Sequence, residues 1–371
     1  MTGKLLINLS VLIPQATGIS VYINGVLPQL NSLNPTLLAA ESVFLDATSH
    51  HYTIPGNMTP DQGTTGHLRR LLWTQLKLPR LYHRLQGNLL FSPLPEAPLY
   101  AGCRSIVMAH DVIPLRFPRR GSRLTAYFKH YVPVVLHQAE HILCNSVSTA
   151  KDLTQFFNVA PAKVTPIPLA YNSYQFKFLN LPTRNYFLYI GRHDVYKNLH
   201  RLISAFGQFV KRDNPRRHHF KNSDYELWLV GPTDQTYTPD LKAQAEELSI
   251  GSNIRFLDYV PASELTRMIN QAIALVFPTL WEGFGLPVLE AMACGTPVIT
   301  SRLASLPEVG GEAALYVDPY RIETITDAMV QLAEDEGLRL RLRQLGLQQA
   351  RQFTWEKTGQ KTAEVLSNHL V

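Results

Sequence analysis

Short apolar runs alternate with amphipathic segments along most of the chain, a pattern typical of parallel strands joined by helices. In the first half, these runs predict buried strands at residues 4–9, 42–45, 88–92, 105–109, 141–146 and 164–169. In the second half, they predict strands at residues 186–190, 225–230, 254–257, 272–277, 297–300 and 313–317. Amphipathic segments predict helices at residues 21–30, 147–157, 199–210, 241–248, 322–333 and 339–352, with a last helix that ends near Asn368. Such alternation predicts an α/β fold with parallel sheets and right-handed crossovers.

The chain is too long for one ordinary hydrophobic core, at 371 residues, and suits two domains. Residues 171–184 are polar and aromatic without periodicity, which predicts an interdomain linker. We therefore expect a Rossmann-like domain at 1–175, a second at 176–353 and a terminal helical segment at 354–371. Residues 46–66 and 211–224 are polar and predict exposed loops.

The composition is that of a globular protein, with 45% hydrophobic and 17% charged residues. No apolar run reaches the roughly 18 to 20 residues that span a bilayer. Residues 5–14 predict the first buried strand, with a signal peptide as the competing interpretation. Cys103, Cys144 and Cys294 are widely spaced without a metal-ligand pattern, so we expect a reduced, cytoplasmic protein with no structural metal.

The formal net charge is +6 and the sequence pI is about 9.1. This charge suits phosphates or anionic lipid and is too small to indicate a nucleic-acid partner. Segment 67–86 concentrates five basic residues: Arg69, Arg70, Lys77, Arg80 and Arg84. Its leucines repeat at every fourth position: Leu68, Leu72 and Leu76. The repeat predicts an amphipathic helix with a basic flank, which could lie on a membrane, bind an acidic acceptor or pack on its own domain with solvated arginines.

The strand predicted at 272–277 leads into a turn containing Gly283 and Gly285, and Pro287 then opens a helix. Amides in such a loop, together with the positive end of the helix dipole, form a binding site for an anion such as a diphosphate. Glu282 and Glu290 bracket the loop and can face one crevice at the carboxyl edge of the sheet. The alternative is that the glycines only shape a turn and Glu290 only complements the dipole.

Two further loops hold candidate site residues. After the strand at 186–190, Arg192 and Lys197 stand five residues apart and can converge on a diphosphate. After the strand at 105–109, His110 and Asp111 are well placed for a cleft, although an isolated histidine is more often structural. Gly18 lies in the turn that follows the first strand.

Residues 282–299 closely resemble the signature of family 4 of the retaining, nucleotide-sugar-dependent glycosyltransferases. The resemblance extends over nearly the whole chain and is strongest from 186 to 319. It implies the GT-B architecture, in which two Rossmann-like domains face each other across a cleft and the terminal helix crosses back to the first domain. It also implies metal-independent transfer of a sugar from a nucleoside diphosphate sugar to an acceptor hydroxyl, with retention at the anomeric carbon. The chain has no Asp-x-Asp triplet, which agrees with metal independence, and we expect no cofactor.

The resemblance also assigns roles to these residues. Arg192 and Lys197 would hold the phosphates, Glu282 would contact the transferred sugar and Glu290 the ribose hydroxyls. His110 would lie beside the donor sugar. The implied catalytic residues are Glu282, His110, Arg192 and Lys197. The implied donor-binding residues are Gly18, Tyr259, Gly283, Phe284, Gly285, Leu286 and Glu290.

The sugar and the acceptor are less defined. Residues 110–115 look like those of bacterial mannosyltransferases that make surface polysaccharide, which favours GDP-mannose, while UDP-glucose and UDP-N-acetylglucosamine remain open. The acceptor is expected to be a glycan or a lipid-linked glycan, at the inner face of the membrane if segment 67–86 makes a peripheral contact. An epimerase, a phosphorylase and a non-catalytic nucleotide-sugar-binding protein are the alternatives. A nicotinamide dehydrogenase is disfavoured because no GxGxxG follows the first strand.

Overall fold

The computed structural model describes residues 3–13, 18–41, 50–212 and 224–370. The chain divides into two compact units, one of Met1–Ala170 together with Thr354–Val371 and the other of Tyr171–Phe353. The division falls after residue 170, where the sequence predicted 175, and segment 354–371 belongs to the first unit.

The first unit is built on a parallel sheet whose described strands follow the order β3-β2-β1-β4-β5-β6-β7. These strands are β1 (Leu5–Asn8), β2 (Thr36–Ala40), β3 (His50–Ile54), β4 (Leu89–Ser92), β5 (Ser105–Ala109), β6 (His141–Cys144) and β7 (Val164–Pro166). Its helices are α1 (Gly18–Leu30), α2 (Gly63–Leu76), α3 (Leu78–Arg84), α4 (Ile113–Arg116), α5 (Arg123–His130), α6 (Val132–Gln138), α7 (Val147–Phe157) and, from the end of the chain, α15 (Trp355–His369). Strands β1, β2, β4 and β5 are buried throughout, because helices can cover both faces of a parallel sheet.

The second unit has a parallel sheet of order β10-β9-β8-β11-β12-β13 among its described residues. Its strands are β8 (Tyr186–Ile190), β9 (Glu226–Val230), β10 (Ile254–Leu257), β11 (Ala274–Phe277), β12 (Val298–Ser301) and β13 (Ala314–Val317). Its helices are α8 (Leu199–Lys211), α9 (Tyr237–Glu247), α10 (Ala262–Gln271), α11 (Leu286–Ala293), α12 (Leu306–Gly310), α13 (Ile322–Glu334) and α14 (Glu336–Ala350). The strand order reverses direction beside β8, and such a switch point is where open α/β sheets bind ligands.

Packing of α15 on α1 joins the end of the chain to the first unit. A Cβ on Gly25 of α1 would lie 2.1 Å from the Trp355 ring, so only glycine admits the indole at this point. The Thr358 hydroxyl donates a hydrogen bond to the Pro168 carbonyl at 2.8 Å. The last helix is therefore an integral part of the first unit.

Two sequence predictions in the first unit need correction. Residues 46–66 were expected to form an exposed loop, but they contain β3, an edge strand whose mostly exposed side chains lack the apolar alternation that marks a strand. Arg70 was expected on an exposed basic flank, but it is 5% exposed and pairs with Glu96 at 2.7 Å. The strand expected at 42–45 lies outside the described residues, as does most of the loop expected at 211–224.

The segment expected to link the domains packs on the second unit. The Asn270 side chain of α10 accepts from the Leu179 amide at 2.7 Å and donates to the Lys177 carbonyl at 3.0 Å. The Arg184 amide donates to the Gln271 carbonyl at 2.8 Å. These bonds fix the entry into β8.

Candidate active site

Two loops of the second unit approach each other closely, one after β8 and one after β9. The Gly191 amide donates to the Val230 carbonyl at 2.8 Å, and the His193 amide donates to the Pro232 carbonyl at 3.1 Å. Gly231 has a φ of +140°, and a Cβ there would lie 2.3 Å from the Gly191 carbonyl oxygen. A side chain at residue 231 would therefore push the loop that carries Arg192 away from the sheet edge.

The loop after β8 brings Lys197 to Glu282, which follows β11. The Lys197 Nζ donates to the Glu282 Oε1 at 2.6 Å, and the two side chains are only 11% and 10% exposed. The ammonium also lies 5.2 Å from the centre of the Phe277 ring. Because both charges are largely withdrawn from water, each depends on the other for compensation. Two residues that the sequence placed in separate motifs thus form one buried ion pair.

Asn198 and Ser305 hold these loops in place. Asn198 adopts a left-handed conformation at the start of α8, and its amide donates to the carbonyls of Pro278 at 2.9 Å and Pro319 at 2.7 Å. The fully buried Ser305 hydroxyl lies 2.9 Å from the Glu282 carbonyl oxygen and 2.8 Å from that of Phe284. Sequence reasoning missed both residues. Asn198 had a signal, since asparagine before a helix favours a left-handed turn, whereas Ser305 had none.

The helix α11 begins directly after Gly285, whose φ of +102° favours glycine. The amides of Phe284, Gly285 and Leu286 donate no hydrogen bond to any described residue. Those of Gly285 and Leu286 belong to the donors that a helix N-terminus leaves unsatisfied, and they add to the positive end of the helix dipole. Amides without a described partner therefore lie at the predicted loop, next to a carboxylate that Lys197 already neutralises.

Glu290 lies on α11, one turn after Gly285 and Leu286. Its carboxylate makes no hydrogen bond or ion pair with any described residue. Burial raises the pKa of the Glu290 carboxyl from 4.5 to about 7. A partly buried carboxylate without a protein partner is suited to accept hydrogen bonds from the hydroxyls of a ligand.

The remaining predicted residues of the second unit lie on its loops. The Arg192 side chain is exposed and has no ion-pair partner among the described residues, so its guanidinium is available to an anion. Tyr259 follows β10 and is 87% exposed. The neighbouring Asp258 carboxylate accepts from the Thr233 amide at 3.2 Å, which ties this loop to the one after β9.

His110 belongs to the first unit, at the carboxyl end of β5. Its Nε2 lies 3.0 Å from the Pro93 carbonyl oxygen, which can only accept, so Nε2 carries the proton and Nδ1 is an acceptor in the neutral ring. Burial lowers the pKa of His110 to about 4. The ring stands edge-on to Tyr22 with the centroids 5.2 Å apart, and the Asn145 amide donates to the His110 carbonyl at 2.7 Å. His110 is thus a rigidly held, neutral imidazole.

Asp111 makes a hydrogen bond within the first unit, whereas the surroundings of Gly18 do not require a glycine. The Asp111 carboxylate accepts from the Ile113 amide at 3.0 Å, which positions it at the start of α4. Gly18 is the first residue of α1, and a Cβ there would meet no atom within 4 Å. Nothing in the described part of the chain therefore requires a glycine at this position.

The described residues contain no group of three or more His, Cys, Asp or Glu side chains that could hold a metal ion. Among these same residues, no helix combines the length and the apolar character needed to cross a membrane.

The fold defines the class of the protein. The Anabaena protein HepE in complex with UDP-glucose superposes with a TM-score of 0.73 at 16% sequence identity, over 99% of this chain and 100% of that one. The parallel sheets that the described residues form, with seven strands in one unit and six in the other, have the GT-B fold of glycosyltransferases.

Sequence profiles define the family. The profile of the glycosyl transferases group 1 matches residues 172–349, and the profile of glycosyltransferase family 4 matches residues 38–173. The chain belongs to the group 1 glycosyltransferases of the family 4 type, as its signature predicted.

Two relatives of assigned function belong to O-antigen synthesis. The chain is 32% identical to the O-antigen chain mannosyltransferase B of Escherichia coli over 227 residues, which are 61% of this chain and 54% of the relative. It is 29% identical to the O-antigen chain mannosyltransferase RfbU of Salmonella typhimurium over 272 residues, which are 72% of each chain. The match thus spans about half the length of the first relative.

Proposed function

We propose that the protein transfers a hexose from a nucleoside diphosphate sugar to a hydroxyl of a glycan or lipid-linked acceptor in surface polysaccharide synthesis. The observation that carries the proposal is the group of unsatisfied amides at the start of α11, which lies beside the Lys197–Glu282 ion pair. In this proposal Arg192, Lys197 and the amides of Phe284 to Leu286 bind the diphosphate. They favour the transition state because negative charge grows on the leaving phosphate.

The reaction proceeds with retention. The acceptor oxygen bonds to the anomeric carbon on the face from which the diphosphate leaves, and the bond between that carbon and the phosphate oxygen breaks. The departing diphosphate takes the proton of the acceptor hydroxyl, so that no separate base is needed. Glu282 positions the sugar, Glu290 accepts from the ribose hydroxyls and His110 contacts the sugar through its unprotonated Nδ1. Gly18 and Tyr259 contribute to donor binding.

Entry of the donor changes the partner of Lys197. The diphosphate competes with Glu282 for the ammonium, so part of the ion pair is exchanged for a contact with phosphate. The freed carboxylate can then accept from a sugar hydroxyl. The ion pair thus keeps both side chains in place before the donor binds.

GDP-mannose is the donor that we favour. The support is the run at residues 110–115 and the relatives named as mannosyltransferases. UDP-glucose is the rival donor, since HepE, a protein of the same fold, was solved with it. A thermal-shift screen against GDP-sugars and UDP-sugars separates the two, and stabilisation by UDP-sugars alone would refute the preference for mannose.

Incubation of the protein with the donor alone tests the reaction type. A transferase leaves the donor sugar unchanged without an acceptor, apart from slow hydrolysis, whereas an epimerase converts it. We also propose a cytoplasmic protein that contacts the inner face of the membrane through segment 67–86, where a lipid-linked acceptor would be found.

A further inference from the structure

Helix α2 presents a row of leucines to solvent. Leu68, Leu72 and Leu76 lie at every fourth position and are 57%, 53% and 59% exposed. The opposite face packs on the first unit through Gly66, Arg70 and Thr74, which are buried. An amphipathic helix usually buries its apolar stripe, so this row indicates a surface that is covered by a partner.

The surroundings of the leucine row are basic. No Asp or Glu occurs from residue 62 to residue 95. Arg69, Lys77 and Arg80 are exposed, and no described carboxylate lies within 4.0 Å of any of them. Arg70 is the exception because Glu96 neutralises it. The partner must therefore supply negative charge.

The charge of the whole chain is concentrated in the unit that bears this surface. The first unit has 16 Lys and Arg against 9 Asp and Glu, a net charge of +7, whereas the second has 19 against 20, a net charge of −1. Long-range attraction to an anionic surface would thus act on the first unit and not on the second.

A cavity of about 470 Å³ opens beside the leucine row, between β3 and the helices α2 and α3. Its lining includes no acidic residue, and its basic and aromatic members are Tyr52, Trp73, Lys77, Arg80 and Arg84. The Arg84 guanidinium stacks on the Tyr52 ring at 5.3 Å and donates to its hydroxyl, which fixes its direction. The three cations at this cavity suit a phosphate. The indole in its wall suits an apolar group that is attached to the phosphate.

We infer that the first unit docks on an anionic phospholipid bilayer through this α2–α3 surface. The leucine row enters the boundary between headgroups and acyl chains, and the cavity takes the phosphate of one lipid. The inference deepens the membrane contact of the proposed function and supplies its geometry. Apolar insertion together with basic contacts is the combination that holds an amphipathic helix in a membrane interface.

Flotation with vesicles tests the inference. Wild type is mixed with vesicles of phosphatidylcholine alone or with 30% phosphatidylglycerol, without nucleotide sugar, so that the result does not depend on glycosyl transfer. We expect at least tenfold tighter binding to the anionic vesicles, and the difference should shrink as salt increases. Absence of binding to anionic vesicles at low salt would overturn the inference.

Variants locate the surface. Replacing Lys77 and Arg80 together with glutamine should weaken binding to anionic vesicles about 25-fold, at about fivefold for each of the two charges. The matched control removes two exposed charges elsewhere in the first unit, Lys151→Gln with Lys361→Gln, and should change binding less than threefold. Equal losses in the two double variants would overturn the proposed location.

Trp73 supplies a second measurement, which begins with the wild-type protein. Brominated lipids should quench part of the tryptophan fluorescence of wild type, and the Trp73→Phe variant should lose that part. Serine at Leu68, Leu72 and Leu76 should reduce both quenching and binding, with Leu340→Ser, an exposed leucine of the second unit, as the matched control. Quenching that survives in Trp73→Phe, or unchanged binding of the serine variant, would contradict the proposed orientation.

Discussion

Glu290 gives a prediction with a defined sign and size. Its carboxyl has a pKa of about 7 in the folded protein against 4.5 without burial. Because the folded pKa is the higher one, the protonated carboxyl favours folding. That contribution is complete below pH 4.5 and is lost as the pH rises through 7. A pKa difference of one unit corresponds to about 1.4 kcal/mol. Relative to its value below pH 4.5, the free energy of unfolding is therefore lower by about 1 kcal/mol at pH 5 and by about 3 kcal/mol at pH 8.5.

Glu290→Gln removes the free-energy cost of an ionised, buried carboxylate. The variant should be about 3 kcal/mol more stable than wild type at pH 8.5, whereas at pH 5 the difference should fall to about 1 kcal/mol. Urea-induced unfolding at the two pH values measures the difference. Glu323→Gln, which replaces an exposed carboxylate of the same unit, is the control and should change little at either pH.

The same substitution should weaken nucleotide binding. If the ionised carboxylate accepts from the ribose hydroxyls, the affinity of wild type for the nucleoside diphosphate rises with pH up to about 7 and then levels. Titration calorimetry should show no such rise for Glu290→Gln. A variant no more stabilised at pH 8.5 than at pH 5 would refute the argument that burial without a partner destabilises the ionised form.

Substitutions and pH changes at other residues of the candidate site have four further expected outcomes. Lys197→Met and Glu282→Gln should each destabilise the protein by about 3 kcal/mol in urea unfolding, and the double variant should cost less than their sum because no buried charge is left unpaired. Ser305→Ala should cost about 1 to 3 kcal/mol, since the two buried carbonyls that share its single hydroxyl proton lose that donor. Gly231→Ala should weaken nucleotide binding at least tenfold in calorimetry, because its Cβ would displace the Arg192 loop. The pH profile of turnover should show no step from His110 between pH 5.5 and 8, since the pKa of that imidazole is near 4.

Much of the architecture could be predicted from the apolar pattern. The strands of the second unit match the predicted runs, because each is short, buried and bounded by glycine, proline or polar residues. Strand β3 was missed because an edge strand with exposed side chains has no apolar period. Helix α5 was missed for a related reason, since Thr125 is its one buried residue and its apolar side chains are exposed or only partly buried. Helix α6 was missed because it is only seven residues long, although Val132, Val135 and Leu136 are buried.

The sequence predicted those parts of the candidate site whose residues are close together along the chain. The glycine loop and its two glutamates lie in one stretch, and so do Arg192 and Lys197. The contact between Lys197 and Glu282 was not predictable, because it joins residues 85 positions apart. The burial of Arg70 was missed for the same reason, since its partner Glu96 lies 26 residues further along the chain.

Release of nucleoside diphosphate tests the central claim most directly. Wild type and Glu282→Gln are incubated with the donor identified by thermal shift and an acceptor glycan, and nucleotide affinity is measured in parallel. We predict acceptor-dependent release by wild type and at least 100-fold slower release by the variant. The affinity of the variant for the nucleotide should be no weaker than that of wild type, because the diphosphate no longer competes with a carboxylate for Lys197. Full turnover in the Glu282→Gln variant, or conversion of the donor that ignores the acceptor, would contradict glycosyl transfer at this site.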